Sequence, residues 1–376
     1  MKHASPHPTD YDLLVIGGGL AGLTAALRGR HLGLRVALVD LGQYPRHRVC
    51  GEYVSQEVVS VFRAMDIDLH AMAPPVIDRF LLTSPQGKQV RLQLPLGGLG
   101  LSRHAFDHYL YQIAVARGVD FFLREKVTRI QWQGEACTVT AQSGSQWQTR
   151  AVISAHGKRS SLDRTWQRPF FRQRSPYLGV KFHAEWDMPE DLVELHNFQA
   201  GYCGVSKIED GRVNICYLTT RDHLRRHGSV EAMEAKVLHR NPHLAEVLQR
   251  AERVWAQPLV INEVSFAAKA PVEQGMLMAG DAAGLIAPLC GNGMAMAIQA
   301  GNLAALCSSD FLQGRRSRAG MEQQYAQQWR RLFRSRLWVG RQAQAMFRQE
   351  VLAEISVRAM GLLPSVARWV IRQTHG

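Results

Sequence analysis

A cysteine early in the chain lies in a sequence that could move protons. Cys50 lies two residues after the basic run Arg46, His47 and Arg48, and it precedes Gly51. Because positive charge near a thiol lowers its pKa, a cysteine in this position could donate and accept a proton near neutral pH. The alternative is that Cys50 is a small buried residue beside a glycine turn. Cys50 is therefore a candidate catalytic residue, and both interpretations stay open.

A group of closely spaced glycines forms a second candidate site. The segment Gly-Gly-Gly-Leu-Ala-Gly at 17–22 satisfies the pattern G-x-G-x-x-G. In that pattern the first glycine allows a tight turn, the second lets the backbone approach a pyrophosphate, and the third lets a helix pack on a strand. An acid follows at the spacing expected for binding ribose hydroxyls. The predicted dinucleotide-binding residues are Gly17, Gly19, Leu20, Ala21, Gly22 and Asp40.

The elements around these glycines are typical of a βαβ unit. An apolar run at 11–16 predicts a buried strand, and the spacing at 20–31 predicts a helix. A second apolar run at 35–39 predicts a parallel strand that ends at the acid. The helix would then direct its free N–H groups and its positive dipole end at a bound phosphate. The start of the chain is predicted to be Rossmann-like.

A second motif later in the chain indicates which dinucleotide is bound. Gly280 and Asp281 follow a short apolar run at 276–279, and a Gly-Asn-Gly turn at 291–293 precedes a predicted helix. This combination resembles the FAD-dependent oxidoreductases that include p-hydroxybenzoate hydroxylase and geranylgeranyl reductase. The resemblance implies that Asp281, beside Gly280, holds the ribityl chain of FAD. It also implies that the helix start, at Gly291, Gly293 and Met294, faces the flavin edge.

Further segments match the same superfamily. The helix that begins at Arg103 resembles an Arg-x-x-Phe-Asp-x-x-Leu helix, whose arginine lies near the FAD phosphates. We assign Arg103 to the cofactor on this resemblance, together with Arg48 from the basic run. His156 stands where the superfamily has the aspartate of an Ala-Asp-Gly turn. That replacement puts the role of the turn in handling NADH or NADPH in doubt.

The substrate side resembles the geranylgeranyl reductase branch only in part. That branch has Cys-Gly-Glu or Cys-Gly-Asp with its cysteine near the isoalloxazine, which supports Cys50 as a catalytic candidate. It also has a Tyr-x-Trp-x-Phe-Pro segment that lines the substrate pocket. Here Tyr202 is present, whereas Gly204, Ser206 and Lys207 replace the other three residues. Tyr202 is a second catalytic candidate, with a plain strand aromatic as the alternative, and the wall beside it is expected to be smaller and more polar.

These observations predict an α/β fold with a Rossmann-like FAD-binding domain, an inserted antiparallel β-sheet substrate domain and a helical C-terminal segment. The FAD-binding domain is expected to comprise 1–170 and 256–310, with a hairpin at 79–100 on the substrate side. The inserted sheet is expected at 171–255, and the basic helical segment at 311–376.

The basic charge of the chain is concentrated at one end. The 376 residues include 45 lysines and arginines against 32 acids, a net charge of +13. Residues 311–376 carry +9 of this, from twelve arginines, no lysine and three glutamates. Interleaved arginine, tryptophan and leucine are typical of a helix that lies on a membrane. They are equally typical of a helix that packs on the core with solvated arginines. Nucleic acid is unlikely as a partner, since charge alone is unspecific and no RNA-binding motif is present.

Other features narrow the classes of protein. The cysteines form no Cys-x-x-Cys pair and the histidines form no metal signature, so we expect no metal site and a reducing, cytoplasmic setting. No segment reaches the ~20 apolar residues that span a bilayer. Membrane association through the basic segment is the alternative localisation.

The function expected from the sequence is that of an FAD-dependent oxidoreductase. It would reduce or dehydrogenate an apolar organic substrate through flavin N5, with NADH or NADPH as a transient electron donor. The first alternative is an FAD-dependent monooxygenase that hydroxylates an aromatic or polyketide-like substrate. The second alternative is a flavin-bearing RNA- or membrane-binding protein.

Overall fold

The computed structural model describes residues 9–285, 291–347 and 349–362. Within these residues the chain forms two β-sheets and a series of helices, which confirms the predicted α/β fold class. The strands are β1 Tyr11–Ile16, β2 Val36–Asp40, β3 Tyr53–Ser55, β4 Val76–Thr83, β5 Gln89–Gly100, β6 Asp120–Leu123, β7 Val127–Gln133, β8 Ala136–Ala141, β9 Gln146–Ser154, β10 Tyr177–Glu185, β11 Leu192–Phe198, β12 Gly201–Lys207, β13 Val213–Thr220, β14 Glu252–Arg253, β15 Leu259–Asn262, β16 Val272–Glu273 and β17 Met276–Met278.

The helices are spread along the described chain, and the two longest lie toward its C-terminal end. They are α1 Leu20–His31, α2 Val59–Arg63, α3 Arg103–Ala116, α4 Ser161–Thr165, α5 Arg221–His227, α6 Val230–Val237, α7 Pro242–Arg250, α8 Gly293–Leu312, α9 Arg318–Phe347 and α10 Glu350–Leu362. No helix among the described residues is both long enough and apolar enough to cross a membrane.

The first sheet positions the dinucleotide motifs. Its strand order is β16-β17-β9-β1-β2-β6, with the β7–β8 hairpin attached to β9. The pairings of β1 with β2 and β9, of β2 with β6, and of β17 with β9 are all parallel. Because these strands are parallel, the turns that follow β1, β2, β9 and β17 all lie at the same edge of the sheet.

A long-range contact between two helices packs beside this sheet. Helix α1 packs against α8 so tightly that a Cβ added at Gly301 would lie 2.1 Å from the carbonyl oxygen of Ala21. Both helices are rich in buried alanine and leucine. The first and last parts of the predicted FAD-binding domain are therefore held in one hydrophobic core.

The second sheet is mostly antiparallel and recruits strands from several parts of the chain. Its order is β14-β10-β13-β12-β11-β4-β5-β3, and β15 pairs with β10 on the side opposite β13, next to β14. Only the β11–β4 pairing is parallel among the described strands of this sheet. Besides the segment 171–255, the sheet thus includes β3, the hairpin of β4 and β5, and β15.

The C-terminal helices pack across both sheets. The α9 residues Tyr325, Trp329 and Phe333 are buried in the core of the first sheet, and the Tyr325 hydroxyl donates to the carbonyl of Met278 at 2.5 Å. Ala353 and Val357 of α10 are buried against the second sheet. The packing interpretation therefore holds for the inner faces of the described helices, while residues 363–376 of the predicted segment lie outside the described residues.

Candidate functional site

A cavity of about 550 Å³ lies between the carboxyl edge of the first sheet and one face of the second. Ligands of open α/β sheets bind at such an edge. The cavity brings together the sequence-predicted residues Gly17, Gly19, Leu20, Ala21, Asp40, Arg48, Cys50, Arg103, Tyr202, Gly280, Asp281, Gly291, Gly293 and Met294. Gly22 lies just behind this surface.

The glycine turn after β1 forms an open cradle at one end of the cavity. Gly17 has a φ of 101°, and a Cβ there would lie 2.3 Å from the carbonyl oxygen of Ala155. A Cβ at Gly22 would lie 1.8 Å from the carbonyl oxygen of Gly17, so both positions require glycine. A Cβ added at Gly19 would lie 3.7 Å from its nearest neighbour, the guanidinium group of Arg103. The turn is therefore packed tightly behind and open in front.

Asp40 stabilises this turn from the end of β2. Its carboxylate accepts hydrogen bonds from the backbone N–H groups of Gly18 and Gly42 and pairs with Arg46 at 2.5 Å. Burial alone would raise the pKa of Asp40, but the Arg46 hydrogen bond and charge hold it below its usual value. Asp40 is thus ionised at neutral pH and lines the cavity as an acceptor.

Two arginines flank the cavity beside the glycine turn. Arg103 binds the buried Asp107 through two hydrogen bonds of 2.7 and 2.8 Å, and Arg48 lies 3.5 Å from the same carboxylate. Burial opposes the charged form of Arg103, but the adjacent Asp107 raises the pKa of its guanidinium. Two guanidinium groups share one carboxylate here, which leaves excess positive charge beside the glycine turn.

The second motif places a carboxylate at the other wall. Gly280 has a φ of 62°, and it starts a single helical turn that presents Asp281 to the cavity. Burial raises the pKa of Asp281, although the positive charges of Lys269 and Arg103 act in the opposite direction. Helix α8 begins nearby at Gly293, and no side chain among the described residues caps its N-terminus. Gly291, Gly293 and Met294 therefore present backbone at the start of a helix dipole.

Cys50 lines the cavity, but its electrostatic surroundings differ from the expectation. Burial raises the pKa of the Cys50 thiol, and the charge of Arg103 only partly opposes this effect. The interpretation of Cys50 as a thiol with a lowered pKa is therefore wrong, because the effect of burial outweighs that of the nearby positive charges. Cys50 is accordingly a protonated thiol at neutral pH.

Glu52 is the functional-site residue that the sequence reasoning undervalued. It is fully buried at a φ of 55°, and its carboxylate contacts the Lys181 ammonium and, at 2.7 Å, the imidazole Nε2 of His183. The backbone N–H of Arg103 donates to it at 2.6 Å. Burial would raise the pKa of Glu52, but the contacts with His183 and Lys181 lower it below its usual value.

This cluster joins three parts of the site. Glu52 follows Cys50 in the chain, Arg103 starts α3, and Lys181 and His183 belong to β10 of the second sheet. The signal in the sequence was a Lys-x-His pair in a strand, where alternation places both side chains on one face. The pair could suggest a polar partner, but it could not identify Glu52.

Tyr202 lies on β12 at the apolar end of the cavity. It is buried in one cluster with Leu195, Leu218 and Val264, all of which also line the cavity. On the same strand face, a Cβ added at Gly204 would have only the carbonyl oxygen of Cys216 nearby, at 3.8 Å. The wall is therefore apolar, with open space at Gly204. The expectation of a more polar wall is wrong, because Ser206 and Lys207 are not among the described residues that line the cavity.

His156 occupies the turn after β9 in a closed polar network. Its ring nitrogens lie 2.8 Å from the hydroxyl of Ser154 and 3.1 Å from the carboxylate of Asp163. Arg168 also binds Asp163, at 2.9 Å. The expected aspartate of this turn is thus replaced by a histidine that is held by a nearby aspartate.

The arrangement fits a flavin dinucleotide. The glycine cradle, which a single Cβ would obstruct, and the excess positive charge beside it suit a pyrophosphate. The helix start at Gly293 suits the electron-rich edge of a flavin. Asp281 presents a carboxylate to the same space, as a polyhydroxyl chain requires. The apolar wall of the second sheet completes the cavity.

Comparison with known proteins agrees with this fit. A family model described as an FAD binding domain matches residues 10–335. The chain is 24% identical to digeranylgeranylglycerophospholipid reductase 2 of Methanopyrus kandleri over 94% of this chain and 90% of that protein. Its fold matches a geranylgeranyl bacteriochlorophyll reductase-like protein from Thermoplasma acidophilum, with a TM-score of 0.75, 20% identity and coverage of 93% and 91%. It also matches a "probable FAD-dependent monooxygenase" from Pseudomonas aeruginosa, with a TM-score of 0.74, 16% identity and coverage of 93% and 99%.

Proposed function

This chain belongs to the family of FAD binding domains whose model matches residues 10–335, and on that premise we propose that it reduces an apolar organic substrate. The protein is an FAD-dependent oxidoreductase. The choice of reduction, the substrate class and the roles of individual residues are the proposal. The observation that carries it is the single cavity in which the dinucleotide motifs meet the apolar wall at Tyr202.

The cofactor would be held mainly by backbone and by a few charged side chains. The cradle at Gly17 and Gly19, with Arg48 and Arg103, would bind the pyrophosphate. Asp281 would accept hydrogen bonds from the ribityl hydroxyls. Asp40 would accept from the ribose, if ribose hydroxyls displace part of its present contact with Arg46.

The residues beside the apolar wall suit proton delivery. FAD, once bound and reduced by a nicotinamide donor, would supply a hydride from N5 for an electron-poor carbon of the substrate. Cys50 remains protonated at neutral pH because burial raises its pKa, so its thiol can give a proton to the neighbouring carbon. Lys181 and Arg103 would stabilise the thiolate that remains. NADH or NADPH would return the hydride to the cofactor in a transient complex.

The reactivity of the reduced protein with oxygen tests this proposal. Photoreduced protein is mixed with aerated buffer in a stopped-flow spectrometer, with Cys50→Ala beside it. A reductase should return directly to the oxidised flavin spectrum. An intermediate with its own absorption spectrum that forms before the oxidised flavin returns, followed by incorporation of oxygen into the product, would overturn the assignment as a reductase.

That second outcome would favour a monooxygenase. The open space at Gly204 admits a flat ring beside Tyr202, which a tryptophan at this position of the wall would exclude. The similar solved structure described as a monooxygenase also shares this fold over 93% of the chain. An aromatic substrate is therefore the alternative for the same cavity.

A further inference from the structure

The outer faces of the two C-terminal helices expose large apolar side chains. Trp338 of α9 is 56% exposed, and Val351, Ile355 and Leu362 of α10 are 70%, 56% and 81% exposed. The three α10 residues recur at helical spacing and therefore form one stripe. Side chains of this size gain free energy when they leave water, and contiguous exposed patches mark interaction surfaces.

The exposed side of α9 also carries positive charge without an acidic partner among the described residues. Arg331, Arg334 and Arg341 are exposed on the α9 face that bears Trp338. The ion pairs described for α9 and α10 involve Arg336 and Arg358 instead. Among the described residues, no acid pairs with those three arginines. We call Arg331, Arg334, Trp338, Arg341 and the α10 stripe the outer face.

The inner side of these helices adjoins the apolar end of the cavity. Phe347, Ala353 and Val357 belong to the same buried cluster as Tyr202 and Leu218, which line the cavity. The C-terminal helices therefore cover the wall where an apolar substrate would bind. Their outer face looks away from that wall.

A groove of about 490 Å³ opens beside the outer face. It is lined by Arg341 and Gln344 of α9 and by Tyr177 and Phe266. Tyr177 is two residues from Gly179 on β10, which lines the cavity, so the groove and the cavity lie ~7 Å apart along that strand. Gln344 is buried, and its side-chain oxygen has no hydrogen-bond partner among the described residues. It can accept a hydrogen bond from a hydroxyl group in the groove.

We propose that the outer face docks on an anionic lipid bilayer and that the groove passes apolar substrate between the bilayer and the cavity. The passage rests on the proposed function, because it assumes an apolar substrate, whereas the docking does not. An anionic lipid bilayer explains the combination of exposed apolar side chains and arginines better than nucleic acid does. Exposed isoleucine, valine and leucine gain nothing on a phosphate backbone, whereas a bilayer interface receives apolar side chains and attracts arginines.

Vesicle sedimentation tests the docking without any turnover. FAD-loaded full-length protein is mixed with phosphatidylcholine vesicles that contain or lack phosphatidylglycerol. We expect binding to the anionic vesicles that weakens with salt. The pair Arg331→Gln and Arg334→Gln should reduce partitioning about 30-fold, at ~1 kcal/mol for each arginine. Ile355→Asp should reduce it by about tenfold or more.

Matched substitutions elsewhere control for general effects. Arg164→Gln with Arg226→Gln removes two exposed arginines outside the outer face, and Val115→Asp changes an exposed valine of α3. These variants should bind vesicles as the parent does, and flavin absorbance should show that every variant is folded. Failure of the parent to sediment, equal losses in the controls, or preferential binding to single-stranded RNA would each overturn the docking.

The groove is tested separately with a quinone carried in the vesicles and a water-soluble short-chain quinone. Ala345→Trp places a large side chain at the groove. It should slow anaerobic flavin reoxidation by the vesicle quinone at least about tenfold and leave the soluble quinone unaffected. Equal rates for both would refute the passage, and reaction with neither would refute the proposed function while leaving the docking result intact.

Discussion

Lys181→Met should destabilise the protein far more than an ordinary loss of one surface charge. Lys181 and Glu52 are both fully buried, and the carboxylate has only His183 and the backbone of Arg103 as its other described hydrogen-bond donors. Removing one partner of a buried ion pair costs about 3–5 kcal/mol, because the other charge stays buried with incomplete compensation. A variant of this kind should also loosen the segment that carries Cys50.

Urea unfolding of the FAD-loaded protein measures this cost, with circular dichroism and flavin fluorescence followed together. Lys207→Met is the matched control, because Lys207 lies 4.0 Å from the exposed Glu190 and such pairs contribute about 0–1 kcal/mol. Replacing Lys181 and Glu52 together, with Met and Gln, should recover part of the loss. A cost below about 1 kcal/mol for Lys181→Met would refute the buried-cluster reasoning.

The stabilisation of the fold by Glu52 should depend on pH in a defined direction. The pKa of Glu52 is lower in the folded protein than its unfolded value of about 4.3, so its ionised form stabilises the fold above that pH. This contribution is lost as pH falls through the folded pKa. The difference in stability between the parent and Lys181→Met should therefore be largest near neutral pH and should shrink below about pH 4.

Three further predictions concern the cavity. Asp281→Ala should weaken FAD binding about 10- to 100-fold in titrations of flavin fluorescence, with Asp78→Ala as an exposed control; unchanged binding would contradict its role. Gly22→Ala should abolish FAD binding, because its Cβ would collide with the carbonyl of Gly17; a variant that purifies with full flavin absorbance would show that the turn can adjust. Gly204→Trp should retain FAD but lose turnover of the apolar substrate, and unaltered turnover would place the substrate elsewhere.

The local parts of this site could be predicted from the sequence. Gly17, Gly22 and Asp40 belong to one βαβ unit, whose spacing follows from strand and helix geometry. Asp281 was found by its motif, which again lies within a few residues of its strand. The structure brings Gly17, Asp40 and Asp281 together around one cavity, with Gly22 just behind its surface.

The remaining features depend on pairings between distant segments. Glu52 meets Lys181 across 129 residues of sequence, and no local pattern specifies such a contact. The arginines near Cys50 are visible in the sequence and suggest a lowered thiol pKa, whereas the burial that raises this pKa is not visible there. Strand β15 likewise pairs with β10, although the two strands are far apart in the sequence.

Product analysis tests the central claim most directly. FADH₂-loaded protein is incubated without oxygen with an apolar lipid extract, and the products are compared by mass spectrometry with those of Cys50→Ala. The proposed reductase should yield a lipid that has gained two hydrogen atoms, with one equivalent of flavin reoxidised and a slower reaction in the variant. A flavin that stays reduced under these conditions, with products that gain oxygen only in air, would contradict it.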